Sequence, residues 1–395
     1  MTDIEAMRSA MVERITSRQP LSPEVAEAMR TVPRHVFVPS VSPETAYIDD
    51  TVITRRDEAG IASSSASAPW LVGKMLDQLD LAEGQRVLEV GGGTGYNAAL
   101  IGHMVGESGH VTAVEIQGDV ADEARTALDA AGVTNVEVVT GDGEYGHPAG
   151  APFDRIIATA GAWDIPQAWG EQLAPGGLLV VPLRLKGLTR AIAFTLDSDG
   201  VWRSASSVYC GFMPIQGAGA VPERNIRIAD DIVLRFDDGH DIAVDAVAKA
   251  ATSPGVVKWT GITIQTSLEL LDFYLADAKG FCRVLAPPSI AERGMAEPLN
   301  GWGSMGIATP DVLGYLTKRV IADPYVYELG ACAYGTAAEA TARDLIERIQ
   351  RWERENLTDV AIEIHPTGAD SPPDALMTVD KRHSRIIVRP VAPVQ

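Results

Sequence analysis

The sequence predicts an α/β protein, with a doubly wound, mainly parallel sheet in the first half and a second α+β domain after it. A glycine-rich turn, Gly91–Gly95, directly follows the short apolar run Val87–Val90. A second apolar run, Val111–Val114, comes after a helical segment and ends on the acid Glu115. Apolar runs and amphipathic segments then alternate as far as Pro182. Such repeated strand–helix units are typical of parallel sheets with helical crossovers.

The residues before the glycine turn are predicted to be mostly helical. Asp3–Ser17 carries apolar residues at helical spacing. Ser22–Thr31 opens with Ser-Pro, which is typical of a helix start. The segment Ile53–Ala62 shows no clear periodicity and is expected to be irregular, whereas Leu71–Leu79 is predicted to form a helix.

The alternation after the glycine turn predicts most of the sheet. Its helices are expected at Tyr96–Met104, Val120–Ala130 and Ile165–Leu173, and its further strands at Val136–Thr140, Phe153–Thr159 and Leu178–Pro182. A hairpin is predicted from Ala191–Leu196 and Val201–Val208. Ligands of parallel sheets bind beyond the carboxyl ends of the strands. We therefore expect Gly91–Gly95, Glu115, Asp142 and Thr159 to share one pocket.

The pattern changes past Tyr209, and we predict two domains, residues 1–215 and 216–395. A linker rich in Gly, Ala and Pro, Gly217–Pro222, marks the change. The remaining elements are expected to be strands at Ile226–Phe236, Val360–His365 and Ser384–Val391, and helices at Ile242–Ala251, Leu268–Ala278 and Thr336–Glu355.

Composition excludes several classes of function. The 395 residues carry a net charge of −20, which repels phosphate backbones and argues against a nucleic-acid partner. Three scattered cysteines predict reduced core residues, and neither they nor the acidic turn before His240 predict a metal site. The N-terminal residues lack a signal peptide pattern, and no apolar run is long enough to span a membrane. We therefore expect a cytoplasmic protein.

The spacing of the glycines discriminates between two kinds of cofactor. A dinucleotide site requires Gly-x-Gly-x-x-Gly, but here glycines fall at 91, 93 and 95, and Glu89 precedes them by two residues. Glu-x-Gly-x-Gly-x-Gly resembles the first motif of methyltransferases that use S-adenosylmethionine (SAM). Glu115, which lies 20 residues after Gly95, is expected to accept the ribose hydroxyls. The alternative is a turn that merely joins strand to helix.

Further motifs specify the family. They are, in order, Val32–Pro39, Ala46–Asp49, Ser67–Pro69, Glu89–Gly95, Gly141–Gly143, Ala151–Ile157 and Leu173–Gly177. Together they resemble the protein-L-isoaspartate O-methyltransferases over roughly the first 200 residues. The resemblance implies a Rossmann-like fold and methyl transfer from SAM, with S-adenosylhomocysteine as product, to an aspartate or isoaspartate carboxylate in a peptide.

The motifs and the resemblance together give the expected site residues. Those expected near the reacting groups are Ser67, Asp49 and His35. Those expected to bind SAM are Ser67, Glu89, Gly91, Gly92, Gly93, Thr94, Gly95, Asn97, Glu115, Ile116, Asp142, Gly143 and Thr159, with Asp142 at the adenine amino group. Those expected on the peptide side are Ala68, Pro69, Trp70, Ala162, Trp163, Pro182 and Leu183. The alternatives are a helix N-cap for Ser67 and local hydrogen bonding for His35.

Three positions on the peptide side depart from the family pattern. Trp70 stands where the family usually has His, and Trp163 where Pro is common. Leu183 begins Leu-Arg where the family usually has Val-Gly. These departures put the choice of peptide in doubt.

The second half suggests a particular substrate. Val256–Gly261 and Gly280–Arg283 resemble the tail of actinobacterial homologues that accompany ribosomally made, modified peptides (lanthipeptides, lasso peptides and graspetides). We therefore expect esterification of an aspartate in a modified precursor peptide, leading to aspartimide and in some cases isoaspartate. The second domain, expected to be absent from repair enzymes, would recognise that peptide. The alternatives are a general repair enzyme for isoaspartyl damage and a binding module whose catalytic half is a relic.

Overall fold

The computed structural model describes residues 3–56, 60, 62–237, 242–265, 268–301, 303–323 and 326–391. The chain divides into two compact units. One comprises Met1–Arg184, Thr189–Val221 and Lys381–Ser384, and the other Leu185–Leu188, Pro222–Asp380 and Arg385–Gln395. The first unit thus continues six residues past the expected boundary, and it includes a short segment from near the end of the chain. His240, which follows the acidic turn, lies outside the described residues.

The first unit contains a parallel sheet flanked by helices. Its helices are α1 (Asp3–Arg18), α2 (Pro23–Thr31), α3 (Pro43–Ala46), α4 (Pro69–Leu79), α5 (Tyr96–Val105), α6 (Gly118–Ala130) and α7 (Gln167–Gln172). Its strands are β1 (Val52–Arg56), β2 (Ala62–Ala66), β3 (Arg86–Val90), β4 (His110–Glu115), β5 (Val136–Thr140), β6 (Phe153–Ala158), β7 (Leu173–Leu185), β8 (Leu188–Leu196) and β9 (Trp202–Cys210).

The strand order in this unit is β9-β8-β7-β6-β3-β4-β5. Strands β7, β6, β3, β4 and β5 are mutually parallel, whereas β8 and β9 form the expected antiparallel hairpin. The central strand β3 is almost wholly buried, with Val87 and Leu88 fully buried. Helices α1, α2, α4 and α5 supply much of the core, through side chains such as Met11, Leu76 and Leu100. The predicted α/β fold class is therefore confirmed.

Some predicted boundaries were wrong. The segment expected to be irregular, Ile53–Ala62, contributes to the hairpin of β1 and β2, in which Val52 lies opposite Ala66. Strand β2 is Ala-Ser-Ser-Ser-Ala, which has none of the apolar alternation by which a strand is recognised. The helix expected at Ile165–Leu173 is limited to Gln167–Gln172, because Leu173 already belongs to the long strand β7.

The second unit is rich in antiparallel strands. Its helices are α8 (Val244–Ala251), α9 (Leu271–Leu275) and α10 (Ala338–Glu355). Its strands are β10 (Arg224–Ala229), β11 (Ile232–Phe236), β12 (Gly255–Ile264), β13 (Phe281–Leu285), β14 (Ser304–Thr309), β15 (Val312–Asp323), β16 (Val326–Gly335), β17 (Val360–Pro366), β18 (Met377–Asp380) and β19 (Ser384–Pro390).

Seven of these strands form one antiparallel sheet in the order β10-β11-β13-β14-β15-β16-β12. The single strand expected at Ile226–Phe236 is the hairpin of β10 and β11. The helix expected at Leu268–Ala278 is reduced to the five residues of α9. Strands β18 and β19 pair antiparallel, and β17 lies beside β19.

The three cysteines, Cys210, Cys282 and Cys332, are free and buried, as expected for reduced core residues. Burial raises the pKa of the Cys210 and Cys332 thiols to about 12 and also raises that of Cys282. In the part of the chain that the structure describes, no group of three His, Cys, Asp or Glu residues converges to hold a metal ion. Within the same ranges, no helix combines the length and the apolar character needed to cross a bilayer.

Candidate cofactor and acceptor site

The glycine turn after β3 needs glycine for its backbone. Gly91, Gly93 and Gly95 have φ of +93°, +50° and +82°, in the left-handed region that side chains rarely adopt. A Cβ on Gly91 would lie 3.0 Å from Thr159 Oγ1. Thr159, which follows β6, donates its hydroxyl hydrogen bond to the carbonyl oxygen of Val90 at 3.1 Å. The neighbouring strand end therefore fixes the turn.

Glu115, at the end of β4, is bound to this turn. Its Oε2 accepts a hydrogen bond from the Gly93 amide at 2.9 Å, and its Oε1 accepts one from the Gln117 amide at 2.9 Å. The residue is 6% exposed. An ionised carboxylate offers about four acceptor positions, so Glu115 retains capacity for two hydroxyl groups. This is the chemistry that a ribose diol requires.

A first cleft collects most of the predicted nucleoside site. Its lining comes from the ends of four parallel strands and includes Gly91, Gly93, Glu115, Ile116, Gly143 and Thr159. The segment Met213–Gln216 forms another wall, which the sequence reasoning missed. No motif marks this segment, since it follows a hairpin and binds the turn after β6 through backbone hydrogen bonds. The amide of Gly161 donates to Met213 O at 2.7 Å, and the amide of Ile215 donates to Gly161 O at 3.0 Å.

A second cavity adjoins the first. The two share Ser65, Gly91, Gly93 and Thr159. The second cavity brings together further predicted residues, namely Ser67, Glu89, Gly92, Thr94 and Asn97. Tyr96, Phe212 and side chains of α4 complete its lining. The glycine turn thus separates one end with Glu115, where the nucleoside is predicted, from an opposite end with Ser67 and Glu89.

Glu89 carries a fully buried carboxyl group at that opposite end. Its Oε1 accepts a hydrogen bond from Asn97 Nδ2 at 2.8 Å, and its Oε2 has no partner among the described residues. Burial raises the pKa of Glu89 to about 8, against the lowering effect of the Asn97 hydrogen bond. A carboxyl group in this state becomes an anion readily when a cation binds beside it. The site therefore suits a ligand that carries positive charge at this end.

The backbone of Ser67 is held by a buried arginine. Arg34 is fully buried and donates from Nη2 to Ser67 O at 3.0 Å and to Ala66 O at 3.4 Å. Its Nε donates to Ala46 O at 3.0 Å, and its guanidinium lies 4.9 Å from the ring centre of Tyr96. Burial lowers the pKa of Arg34. The Val-Pro-Arg motif, which in the sequence served only as a family marker, thus positions the Ser-Ala-Pro segment.

The hydroxyl group of Ser67 is left available. The N-cap of α4 is Ala68, without a side-chain hydrogen bond, so the alternative role of Ser67 as N-cap is wrong. Asp49 instead serves the start of this helix, since its Oδ1 accepts a hydrogen bond from the Trp70 amide at 2.9 Å. Within the described ranges, no partner is placed against Ser67 Oγ. Asp49 therefore supports the Ser-Ala-Pro segment through the backbone.

The structure places His35 away from both cavities. Its Nδ1 is 2.9 Å from the hydroxyl oxygen of Tyr47, and the two rings lie 5.8 Å apart. Burial lowers the pKa of His35, and the charge of Arg8 lowers it further. This arrangement matches the local hydrogen bonding that was the alternative for His35. A role for His35 near the reacting groups remains a prediction.

Both carboxylate oxygens of Asp142 already accept hydrogen bonds from the protein backbone, which the resemblance did not imply. Its Oδ1 accepts a hydrogen bond from the Glu144 amide at 3.0 Å, and its Oδ2 accepts one from the Ala218 amide at 2.8 Å. The first cleft is lined by Gly143, whereas Asp142 is not part of its lining. Contact of Asp142 with an adenine amino group remains a prediction, which requires a lone pair that the two amides leave free.

The expected peptide-side residues are mostly buried. Ala162 hydrogen-bonds through its amide to Pro182 O at 2.9 Å, and Ala162 and Leu183 are fully buried. Ala68, Pro69 and Pro182 are buried as well. Only Trp70 and Trp163 among the seven are partly exposed, so they are the ones whose side chains can reach a peptide.

The family model for protein-L-isoaspartate(D-aspartate) O-methyltransferase matches residues 6–219 of this chain, which is more than half of it. The chain belongs to this family. It is 39% identical over 215 residues to protein-L-isoaspartate O-methyltransferase 2 of Archaeoglobus fulgidus, covering 54% of this chain and 95% of that protein. It is 40% identical over 212 residues to protein-L-isoaspartate O-methyltransferase of Methanopyrus kandleri, covering 53% of this chain and 91% of that protein.

A solved structure named protein-L-isoaspartate O-methyltransferase has a similar fold, with a TM-score of 0.52 at 23% identity. The match covers 90% of this chain and 96% of that chain, so it extends past the residues that the family model matches. About half of this chain covers 95% and 91% of the two archaeal relatives, so those relatives lack a counterpart of the other half, as expected. The predicted enzyme class is confirmed, since the family consists of SAM-dependent carboxyl O-methyltransferases.

Proposed function

We propose that this protein transfers a methyl group from SAM to the free carboxylate of isoaspartyl residues in peptides or proteins. The observation that carries the proposal is the pair of adjoining cavities around one glycine turn, with Glu115 at one end and Ser67 and Glu89 at the other. The relatives described above are named protein-L-isoaspartate O-methyltransferases, which favours this general activity. This general activity is the alternative, stated above, to esterification of an aspartate in a modified precursor peptide.

The residues present fit SAM, which supplies a methyl group made electrophilic by a sulfonium. Glu115 holds the ribose hydroxyls, and the turn Gly91–Gly95 allows the close approach of its backbone to the cofactor. Glu89 lies where a positively charged amino group is needed to balance its carboxylate. Asn97 keeps that carboxylate oriented through its hydrogen bond to Oε1.

The acceptor needs little activation. The free carboxyl group of an isoaspartyl residue is an α-carboxyl group, whose ordinary pKa is about 3.3–3.7, so the acceptor is already an anion near neutral pH and requires no general base. Its oxygen forms the new bond to the methyl carbon while the bond from that carbon to sulfur breaks. Orientation alone can lower such a barrier by up to about 7–11 kcal/mol. Ser67, whose hydroxyl is available and whose backbone is fixed by Arg34, orients the carboxylate without acting as a nucleophile.

The methyl ester then reacts without the enzyme. The backbone nitrogen of the next residue attacks the ester carbonyl, methanol leaves, and a five-membered succinimide closes. A small following residue such as glycine favours this step, because the backbone must adopt an unusual conformation. Water can afterwards open the ring.

The experiment compares two peptides of one sequence, one with an isoaspartyl and one with an ordinary aspartyl residue. The enzyme is mixed with SAM carrying a labelled methyl group, and the label is counted in peptide ester and in released methanol. We expect rapid esterification of the isoaspartyl peptide and at least about a hundredfold slower reaction of its aspartyl control, since substrates are distinguished by differential transition-state binding. Label in neither peptide, but in a cyclised precursor peptide, would favour the tailoring function instead.

We further propose that residues 216–395 recognise the substrate beyond the modified residue. Support comes from β15 of the second unit, where Val320 and Ile321 are 60% and 52% exposed. Replacing both by serine should raise KM for a protein substrate and leave KM for a short isoaspartyl peptide unchanged. Equal effects on both substrates would contradict this role.

A cytoplasmic location also remains a prediction.

A further inference from the structure

Four residues from near the end of the chain belong to the first unit. Lys381–Ser384 is assigned there, although the residues on both sides of it in the sequence belong to the second unit. Lys381 and Ser384 are 7% and 6% exposed, which is unusual burial for a lysine. The segment therefore makes specific contacts with the unit that holds the cofactor site.

One set of contacts fixes the corner after β6, by which we mean residues 161–164. Asp164 accepts a hydrogen bond from the His383 amide at 2.8 Å and one from Ser384 Oγ at 2.6 Å. Lys381 Nζ donates to Arg184 O at 3.0 Å and lies 4.4 Å from the ring centre of Trp163. Asp164 and Trp163 are thus held in place by residues more than 200 positions later in the sequence.

That corner carries one end of the wall of the first cleft. Gly161, three residues before Asp164, is the residue whose amide and carbonyl bind Met213 and Ile215. The wall Met213–Gln216 lies on the nucleoside side of the glycine turn, together with Glu115. Fixing the corner therefore fixes the start of the wall.

A second contact reaches the other end of the wall. Arg382 Nη1 donates to Ala218 O at 3.2 Å, and the Ala218 amide donates to Asp142 Oδ2 at 2.8 Å. Gly217, with φ of +81°, lies so close that a Cβ there would be 2.3 Å from Asp142 Oδ2. The turn at Gly217 and Ala218 therefore sits directly on Asp142, beside the cleft residue Gly143.

We propose that Lys381–Ser384 is a positioning strap for the cofactor cleft, which fixes both ends of the wall Met213–Gln216 and so sets the affinity for the nucleoside end of the cofactor. The strap acts through the wall and is not part of the lining of the first cleft. The proposal rests on the proposed function only in taking SAM or S-adenosylhomocysteine as the ligand. Its physical basis is entropic, because a wall that is already ordered loses less conformational freedom when the ligand binds.

The test uses the full-length protein with Arg382→Gln and Ser384→Ala combined. We expect the Kd for S-adenosylhomocysteine, measured by calorimetry, to rise about tenfold while kcat at saturating SAM stays within about twofold. Arg385→Gln is the matched control, since this nearby arginine pairs with Asp380 of its own unit and should leave Kd unchanged.

Hydrogen exchange of the amides at 215–218, measured without ligand, provides a second readout. Faster exchange in the double variant, with the rest of the first unit unchanged, is expected. Asp164→Asn, which keeps one acceptor oxygen, should give an intermediate rate. If the double variant has the same Kd for S-adenosylhomocysteine and the same amide exchange rates as the wild-type protein, the proposal that Lys381–Ser384 is a strap is overturned. Failure of the wild-type protein to bind S-adenosylhomocysteine would refute the proposed cofactor, while the exchange result would still decide on the strap.

Discussion

The guanidinium of Arg34 donates a hydrogen bond to the carbonyl oxygen of Ser67 at 3.0 Å, and Arg34 is fully buried. Arg34 also donates to the carbonyl oxygens of Ala46 and Ala66. It therefore connects the Val-Pro-Arg motif to the end of α3 and to the end of β2. We expect Arg34→Lys to lower the free energy of unfolding by about 1–3 kcal/mol, because a compact ammonium cannot reach all three carbonyl oxygens that the Nε and Nη2 of the guanidinium contact. Methyl transfer should fall more than SAM binding.

Urea titration and single-turnover rates measure the two effects. Arg18→Lys, at the exposed end of α1, is the control and should change neither. A stable Arg34→Lys protein with a wild-type turnover rate would show that Ser67 needs no such support.

The Ser67 hydroxyl can be tested by Ser67→Ala. We expect the Kd for SAM to stay the same and ester formation to slow by about tenfold or more, since the change removes only an orienting group. Ser22→Ala is a useful comparison, because it removes a helix N-cap and should lower stability by about 1 kcal/mol without slowing turnover. Unchanged turnover in Ser67→Ala would remove Ser67 from the acceptor site.

Glu115 should determine affinity for the cofactor. In Glu115→Gln the side-chain amide nitrogen must face either a backbone amide or a ribose hydroxyl in place of an acceptor oxygen. We expect Kd for SAM to rise about tenfold or more, which corresponds to about 1.4 kcal/mol per factor of ten. Calorimetry measures the change, and Glu137→Gln, on the exposed strand β5, should show none. Equal affinity in both variants would exclude Glu115 as the ribose ligand.

Cofactor binding should release a proton near neutral pH. The pKa of Glu89 is raised to about 8 in the free protein, so its carboxyl group is mostly protonated at pH 7. A bound cation stabilises the anion and lowers this pKa, so binding expels up to about one proton. Calorimetry at pH 7 in buffers of different ionisation enthalpy measures that number. Glu89→Gln should abolish the release, and an unchanged release would assign it to another group.

The same group makes stability depend on pH. The pKa of Glu89 is higher in the folded protein than its ordinary value of 4.5. Its contribution to the free energy of unfolding is therefore fully present below pH 4.5 and is lost as pH rises through about 8. We expect the wild-type protein to lose stability relative to Glu89→Gln over that interval. Urea titrations at pH 5 and pH 9 measure the difference, and parallel pH profiles for the two proteins would contradict the burial of an unpaired carboxyl group.

Much of the first unit followed from the sequence because its signals are local. Apolar runs predict β3 to β6, and the Ser-Pro pair predicts the start of α2, where Ser22 indeed caps the helix. The strand-end acid Glu115 could be located for the same reason, since a parallel strand brings its last residue to the ligand edge.

The missed features depend on contacts between distant residues. Strand β2 is recognisable only from its pairing with β1, because its serines have no apolar alternation. The wall Met213–Gln216 is defined by backbone bonds to Gly161, which no side-chain pattern reveals. Asp49 caps a helix 20 residues later, and its role depends on the fold. Much of the second unit's antiparallel sheet also lacked a clear pattern, since β13, β14 and most of β16 are buried on both faces.

The burial of all three thiols makes this protein convenient for site-specific labelling. Thiols with pKa values raised this far form almost no thiolate at pH 7, so maleimide dyes should leave the native chain unmodified. A cysteine introduced at the exposed residue Gln216 would then be the sole reactive position. A fluorophore there would report directly on the wall of the cleft as nucleosides bind and leave.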